Sequence, residues 1–304
     1  VSDHQYMYLI TKLYCAEIWG CYLPPSFKLE HLCYWTKQSK FSPSSKMDLQ
    51  FIKYILGIHK KGSNFGIMSE VGRFPIILDG FKASINYWYR MENIPSGLLK
   101  DAYLESQNIH EAGDKSWFSA IFNVFNLLKT PGGNKYRNKS NSFFKHTIKT
   151  DLMNIYTETW YNHRDKLINE NGKLRTYVKI KTNFGYEKYL DLITEPKLRR
   201  CITKFKISCH KLKIELGRYN KPKTSIEERI CDHCSNSEVE DESHFFNNCT
   251  KFSGSRNILF DIIKESNKNF YQLSPFHKLL WTFNCENITV LNSLCKFLLE
   301  SEII

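Results

Sequence analysis

Three cysteines and one histidine near the C-terminal end of the chain are spaced as ligands of a single metal ion. They are Cys231, Cys234, His244 and Cys249, in the pattern C-x2-C-x9-H-x4-C. Two cysteines separated by two residues lie on one tight turn, so both sulfurs can reach the same ion. The later pair completes a tetrahedral shell and leaves no position for a reacting water. The pattern predicts a structural zinc site. The alternatives are a buried thiol cluster or a chance arrangement, because the chain has 10 Cys and 10 His.

The composition is that of a globular protein. The chain has 304 residues, of which 42% are hydrophobic and 14% are aromatic, enough for one large or two ordinary domains. No stretch approaches the roughly 18 apolar residues that a membrane span needs, and the N-terminus lacks the pattern of a signal peptide. The cysteines outside the motif are scattered singly, which is typical of a reducing compartment. We therefore expect an intracellular protein, nuclear or cytoplasmic, with no membrane partner.

Positive charge is concentrated next to the cysteine motif. The net charge of the chain is +12. Residues 173–223 contain fifteen Lys or Arg and four Asp or Glu, whereas residues 224–249 contain one Arg and seven acids. A concentrated basic segment predicts a polyanionic partner, here RNA or DNA. The acidic segment around the motif instead favours the docking of another protein, because a knuckle that holds phosphates is usually basic.

Hydrophobic periodicity predicts a mainly α-helical fold, made of one or more helical bundles with a small zinc knuckle near the C-terminus. Apolar residues recur at helical spacing over 76–91, 95–108, 115–129 and 143–168. The Pro-Gly-Gly sequence and the polar residues after it predict a linker. The predicted regions are a helical region at 1–130, a linker at 131–142, a basic helical region at 143–226, the zinc knuckle at 227–252 and a helical tail at 253–304.

A longer helix is predicted from Pro196 to Leu216, because apolar residues recur there at alternating intervals of four and three. Gly217 is expected to end it in the left-handed conformation. The basic residues of this helix fall on two flanks, which are Arg200, Lys204 and Lys211 on one side and Arg199, Lys206 and Lys213 on the other. Two such flanks can hold phosphates. The alternative is a core helix with ordinary solvated lysines.

Aromatic residues are interleaved with the basic segment and can stack on unpaired bases. Tyr177 and Tyr219 are the strongest candidates, because each lies near an arginine in a turn-like context. The complete set of predicted nucleic-acid contacts is Lys173, Arg175, Tyr177, Arg199, Arg200, Lys204, Lys206, Lys211, Lys213, Arg218 and Tyr219.

No catalytic constellation is visible in the sequence. The chain contains no Asp-Asp pair, no Walker loop, no G-x-S-x-G and no H-E-x-x-H, so we do not expect it to be an enzyme. His233 is expected to point away from the cysteine turn, and His210 to be a semi-buried histidine near it. The acids before His244 predict a helix that begins there, with Cys249 just beyond its last turn.

Several sequence segments, taken in order, resemble one known family. They are LYCAEIWG (13–20), FIKYILGIHKKGSN (51–64), EVGRFPI (70–76), INYWYR (85–90), GKLRTY (172–177), FGYEKYL (184–190), HKLKIELGRYN (210–220) and EERICDHC…EVEDESHFFNNC (227–249). They resemble the region after the polymerase palm in reverse transcriptases of jockey-like non-LTR retrotransposons, over residues 6–252. The resemblance implies thumb and connection helices, followed by a zinc-binding segment that contacts nucleic acid. The family's catalytic aspartates have no counterpart in this chain.

Two functional hypotheses follow. The first is a non-catalytic C-terminal fragment of a retrotransposon RNA-directed DNA polymerase that binds RNA or DNA through its basic helical region and a structural zinc knuckle. Its partners would include the polymerase and endonuclease parts that this chain lacks. The alternative is a zinc-stapled helical scaffold for protein interaction, derived from such an element. The acidic charge around the knuckle favours this second hypothesis.

Overall fold

The computed structural model describes residues 33–35, 43–137, 139–170, 172–235 and 237–304. Within these ranges the chain forms helices and two isolated antiparallel bridges, and no strand. The predicted mainly α-helical class is confirmed. No described helix is both long and apolar enough to cross a membrane. Residues 1–32 and 36–42 of the predicted helical region 1–130, which include the segment 13–20, lie outside the described residues.

The helices are named in chain order. They are α1 (Pro43–Ile55), α2 (Asn64–Val71), α3 (Ile77–Asn93), α4 (Leu98–Glu111), α5 (Trp117–Leu127), α6 (Asn141–Ile168), α7 (Tyr177–Ile180), α8 (Tyr189–Leu192), α9 (Pro196–Lys206), α10 (Lys213–Leu216), α11 (Glu242–Asn247), α12 (Ser253–Ser266), α13 (Pro275–Phe283) and α14 (Ile288–Glu300). The helices predicted at 76–91, 95–108, 115–129 and 143–168 correspond to α3, α4, α5 and α6.

The chain divides into two compact units. The first comprises residues 1–50 and 74–160, and the second comprises residues 51–73 and 161–304. In the first unit, α3 and α5 pack through Trp88 and Phe125, whose rings meet edge to face at 4.6 Å. Both side chains are inaccessible to solvent, so this contact lies in the core of the first unit.

The segment 131–142, predicted to be a linker, belongs to the first unit. Tyr136 is completely buried, and its hydroxyl donates a hydrogen bond of 2.7 Å to Asp151 Oδ2. Gly133 has a φ of +72°, and a Cβ placed on it would lie 2.7 Å from Trp88. Gly133 therefore lies in a tight turn packed against the core, and this segment is not a flexible connection.

Aromatic rings join the C-terminal tail to the rest of the second unit. Phe205 of α9 stacks on Phe283 of α13 at 4.9 Å, and Phe245 of α11 meets Phe297 of α14 at 5.0 Å. All four side chains are buried. The tail at 253–304 is therefore part of the same core as α9 and α11.

A cluster of buried charges, which we name the Lys206 cluster, connects α2 to α9 in the second unit. It consists of Glu70, Lys181, Glu187 and Lys206. The Lys206 ammonium has no solvent exposure and lies 3.1 Å from Glu70 Oε1 and 2.5 Å from Glu187 Oε2. Lys181 pairs with Glu187, and the Tyr189 hydroxyl donates to Glu70 Oε2 at 2.6 Å. Each buried carboxylate therefore has a cation or a hydrogen-bond donor beside it.

The prediction of one helix from Pro196 to Leu216 is wrong. Helix α9 ends at Lys206, and Ser208 then adopts a φ of +56°. The Cys209 amide donates to Lys204 O at 2.7 Å, the six-to-one bond of a Schellman ending. Gly217 has a φ of −61° and is not left-handed.

Tertiary hydrogen bonds explain the break after α9. The Lys211 amide donates to Ile303 O at 2.6 Å, and the Lys213 amide donates to Glu240 Oε2 at 2.9 Å. These donors are satisfied by distant residues instead of by the preceding helical turn. The apolar periodicity beyond residue 206 therefore does not belong to one helix.

Candidate metal centre

A short pairing positions the first two cysteines. Ile230 and Val239 form an isolated antiparallel bridge. On either side of it, the Cys231 amide donates to Glu238 O at 2.9 Å and the Glu240 amide donates to Arg229 O at 2.8 Å. The chain therefore folds back on itself after Cys231, and both cysteines lie in the segment 231–238 that this pairing closes.

Helix α11 and the turn after it position the second pair. The Asp241 side chain caps the helix by accepting the His244 amide at 2.8 Å, as the acids before His244 predicted. The Cys249 amide donates to His244 O at 2.9 Å, which turns Cys249 back toward the histidine. The predicted position of Cys249, just beyond the end of the helix, is confirmed.

The four predicted ligands converge on one point. Their ligand atoms all lie within 4.8 Å of one another. Cys249 Sγ is 3.8 Å from Cys231 Sγ and 3.7 Å from Cys234 Sγ, and Cys234 Sγ is 3.5 Å from His244 Nε2. A tetrahedral shell with zinc–sulfur bonds of about 2.3 Å requires sulfurs about 3.8 Å apart. The cluster can therefore hold a metal ion.

The thiols differ in their readiness to ionise. The hydrogen-bond contact of 3.5 Å between the Thr250 hydroxyl and Cys234 Sγ is the largest influence that lowers the pKa of Cys234 to about 6. Burial raises the pKa of Cys249 to about 12, and burial also raises the pKa of Cys231. A cation at the centre would bind thiolates, so its binding must release protons from the two buried cysteines.

Glu238 orients the histidine ligand. Its Oε2 atom lies 2.6 Å from His244 Nδ1, which leaves Nε2 facing Cys234. A carboxylate behind a ligating histidine fixes the ring and increases its basicity. The sequence gives no sign of this role, because the acids before His244 predict only the start of a helix. His233 is exposed, with Nε2 3.3 Å from Lys251 Nζ, and does not join the cluster.

The first residue of α11 anchors the metal-binding helix to the basic segment. Glu242 is buried and accepts hydrogen bonds from Arg175 Nη2 at 2.6 Å and from Thr176 Oγ1 at 3.0 Å, and it lies 3.0 Å from His210 Nε2. Burial acts to raise the pKa of Glu242, but His210 and Arg175 outweigh it and lower the pKa to about 2. His210, predicted to be semi-buried, is buried in this contact.

Arg175 and Arg218, two of the predicted nucleic-acid contacts, form ion pairs inside the protein near this helix. Arg175 also donates to Glu215 Oε1 at 2.8 Å, and Arg218 Nε lies 3.1 Å from the same carboxylate. The Arg175 side chain is only 13% exposed. Both guanidinium groups are thus paired with a carboxylate, and Arg175 in particular is a structural link between α10 and α11.

The acids around the motif turn toward the protein. Glu238 contacts His244, Glu240 accepts the Lys213 amide, and Asp232 pairs with the Lys213 ammonium. Together with Glu242 and the helix cap Asp241, they account for most of the local negative charge. Most of these acids thus contact other groups of the protein, although the Asp232 side chain is 73% exposed and Glu227 and Glu228 are exposed.

Two of the predicted nucleic-acid contacts are inaccessible, so those predictions are wrong. Lys206 is enclosed by Glu70 and Glu187 in the Lys206 cluster. Tyr177 has no solvent exposure, and its hydroxyl donates to Gly66 O at 3.2 Å. A buried side chain with its polar atom satisfied cannot reach a phosphate or stack on a base.

The remaining predicted contacts lie at the surface. Tyr219 is 65% exposed. Five cations are exposed or half-buried and have no carboxylate within 4 Å among the residues that the structure describes, namely Lys173, Arg199, Arg200, Lys204 and Lys211. Because α9 ends at Lys206, the structure does not place them on two flanks of one helix.

Comparison with known proteins gives no relative. No protein-family model matches the chain, and no curated protein or solved structure is significantly similar to it.

Proposed function

We propose that this chain is a nucleic-acid-binding, non-catalytic part of a non-LTR retrotransposon reverse transcriptase, stabilised by a structural zinc ion. One observation carries the proposal. Four carboxylates of the second unit, those of Glu187, Glu215, Asp232 and Glu242, pair with cations of the same unit, whereas five cations of the basic segment have no carboxylate partner in the described part of the chain. Positive charge that is not paired with a carboxylate at a surface attracts a polyanion.

The metal in this proposal is zinc. Three sulfurs and one imidazole nitrogen form a ligand set that zinc prefers, and the distances among them fit its tetrahedral geometry. Four protein ligands leave no open position, so the ion is structural. It holds the cysteine turn against α11, and Glu242 extends that link to Arg175.

The ligand in this proposal is the phosphate backbone of RNA or DNA. Lysine and arginine side chains supply many of the contacts that proteins make to phosphate and sugar, and these contacts carry no sequence information directly. The exposed ring of Tyr219 adds a surface on which an unpaired base can stack. The resemblance to jockey-like reverse transcriptases supports this choice, and the polymerase and endonuclease parts of such a protein are the proposed partners inside the cell.

A protein-interaction scaffold is the second candidate. The charge that favoured it in the sequence is paired within the protein, but exposed apolar residues on α4 still favour it. Leu98 is 86% exposed, and Leu99 and Leu104 are 45% and 44% exposed. Such side chains on one helix are typical of a surface that another protein covers.

Salt dependence of binding distinguishes the two candidates. We expect the purified protein to bind a single-stranded RNA or DNA oligonucleotide. The logarithm of the association constant should fall linearly with the logarithm of the salt concentration. Fluorescence anisotropy over a salt series measures this slope. Absence of binding, or an affinity that does not change with salt, would overturn the nucleic-acid proposal and leave the scaffold.

A further inference from the structure

Three lysines from separate segments of the second unit act electrostatically on the thiol of Cys209. We name Lys53 of α1, Lys173 of the turn before α7 and Lys204 of α9 the Cys209 lysine cluster. Lys173 Nζ lies 3.9 Å from Cys209 Sγ. Burial raises the pKa of Cys209, and the ammonium groups of all three lysines act in the opposite direction. The three charges therefore lie close enough to the same sulfur to influence it.

The turn after α1 brings further positive charge to the same place. The Lys53 ammonium donates to Lys60 O at 2.7 Å, and a Cβ placed on Gly62 would lie 3.7 Å from Cys209 Sγ. The turn therefore packs directly against the thiol. Lys60 and Lys61 lie on this turn, and both are exposed.

No acid of the described residues pairs with these lysines. Among the described residues, no carboxylate lies within 4 Å of any lysine of the cluster. Glu215 acts on Cys209 from a distance, but it is buried and committed to Arg175 and Arg218. Lys53 is half-buried, and its pKa is lowered by burial and also by the charge of Lys173. Holding these cations together is unfavourable until an anion joins them.

We propose that the Cys209 lysine cluster is a phosphate-binding site, and that the phosphate belongs to the backbone of a bound nucleic acid. This inference rests on the proposed function and identifies the residues at which the nucleic-acid backbone would be held. A phosphate group offers several acceptor oxygens that separate ammonium donors can approach from different sides. Lys53, Lys60 and Lys61 lie outside the basic segment 173–223, so the site combines two distant parts of the sequence.

A matched pair of triple variants tests the site. We expect Lys53→Gln/Lys173→Gln/Lys204→Gln to weaken oligonucleotide binding at least about tenfold at low salt and to reduce the salt slope by about two to three. The control is Lys115→Gln/Lys145→Gln/Lys149→Gln, which removes the same charge from exposed lysines of the first unit. Equal losses in the two variants would overturn the site, because they would show an effect of net charge alone.

Amine footprinting of the wild-type chain makes the test independent of how the variants fold. An acylating reagent modifies lysines, and mass spectrometry reads the extent of modification at each position. We expect the oligonucleotide to protect Lys53, Lys173 and Lys204 and to leave Lys145 and Lys149 unchanged. Oligonucleotide binding without protection at the three lysines would overturn the inference while leaving the proposed function intact.

A parallel footprint with inorganic phosphate separates the two sources of the group. Protection by phosphate without any oligonucleotide binding would keep a phosphate site but overturn both its assignment to nucleic acid and the proposed function. Protection by neither probe overturns the site itself.

Discussion

Two buried polar clusters in the second unit differ in the origin of their positive charge. In the Lys206 cluster the chain supplies its own cations, because Lys206 and Lys181 lie against Glu70 and Glu187. In the metal centre three thiols and an imidazole face one another with no cation of the chain among the four. The first cluster is complete when the chain folds, whereas the second can hold an ion that the chain itself does not supply.

This difference indicates which part of the fold depends on the presence of metal and which part does not. A buried ion pair within the chain persists as long as the surrounding helices do. A site of thiolates contributes folding energy only while the metal is present, because protonated cysteines gain nothing from lying together. We expect chelation and mutation to affect the two clusters separately, and the predictions below start with the largest effect.

Loss of the metal is expected to have the largest effect. In isolated zinc-finger peptides a structural zinc contributes about 10 kcal/mol or more of apparent binding energy. We therefore expect a chelator, or Cys249→Ser, to unfold residues 227–252, because the buried ligands lose their common partner. Hydrogen exchange of the amides in this segment measures the loss.

The control for metal loss is Cys285→Ser, which changes a partly exposed cysteine outside the metal centre. This variant is expected to keep the protection of wild type. If a chelator left exchange in residues 227–252 unchanged, the metal would not be what holds this segment.

Breaking the Lys206 cluster is expected to have the next largest effect. Lys206→Met leaves Glu70 and Glu187 without their shared cation, and removing one partner of a buried pair costs about 3–5 kcal/mol. Denaturant unfolding measures the loss, and the metal content should stay that of wild type. Lys204→Met, two residues earlier at a half-buried position, is the control, and an equal loss there would refute the role of the buried pair.

The carboxylate behind the histidine is expected to change metal affinity without changing the fold. Glu238→Gln weakens the hydrogen bond to His244 Nδ1, and loss of such a partner typically lowers metal affinity 10- to 100-fold (about 1.4–2.8 kcal/mol). Competition against a chromophoric chelator measures the affinity. Glu227→Gln, at an exposed position of the same segment, is the control. An affinity of Glu238→Gln equal to that of wild type would remove Glu238 from the centre.

The exposed pair of Asp232 and Lys213 is expected to have the smallest effect. Asp232 lies between the first two cysteine ligands, but its side chain is 73% exposed. Solvent screens such pairs, so Asp232→Asn should leave both the melting temperature and the metal affinity unchanged. A drop in affinity as large as that of Glu238→Gln would show that charge near the centre matters regardless of contact.

The convergence of the four candidate ligands could be predicted from the sequence because the information for it is local. Its four ligands lie within nineteen consecutive residues, and the spacing of two cysteines on a turn and a capped helix fixes their approach. Helices α3 to α6 could also be predicted, since each has its own apolar periodicity.

The Lys206 cluster could not be predicted, because its partners are distant in sequence. Glu70 lies 119 residues before Tyr189, which donates a hydrogen bond to it. The sequence pattern placed Lys206 on a phosphate-binding flank, since nothing near it in sequence indicates a buried carboxylate. The end of α9 was missed for the same reason, because the Lys211 amide bonds to Ile303.

The central claim is that Cys231, Cys234, His244 and Cys249 together hold one structural zinc ion. Native mass spectrometry of the purified chain tests it most directly, because it identifies the metal and counts it in the folded protein. We predict one zinc per chain in wild type and none in Cys249→Ser. A wild-type protein that folds, keeps all four side chains unmodified and carries no metal would contradict the account.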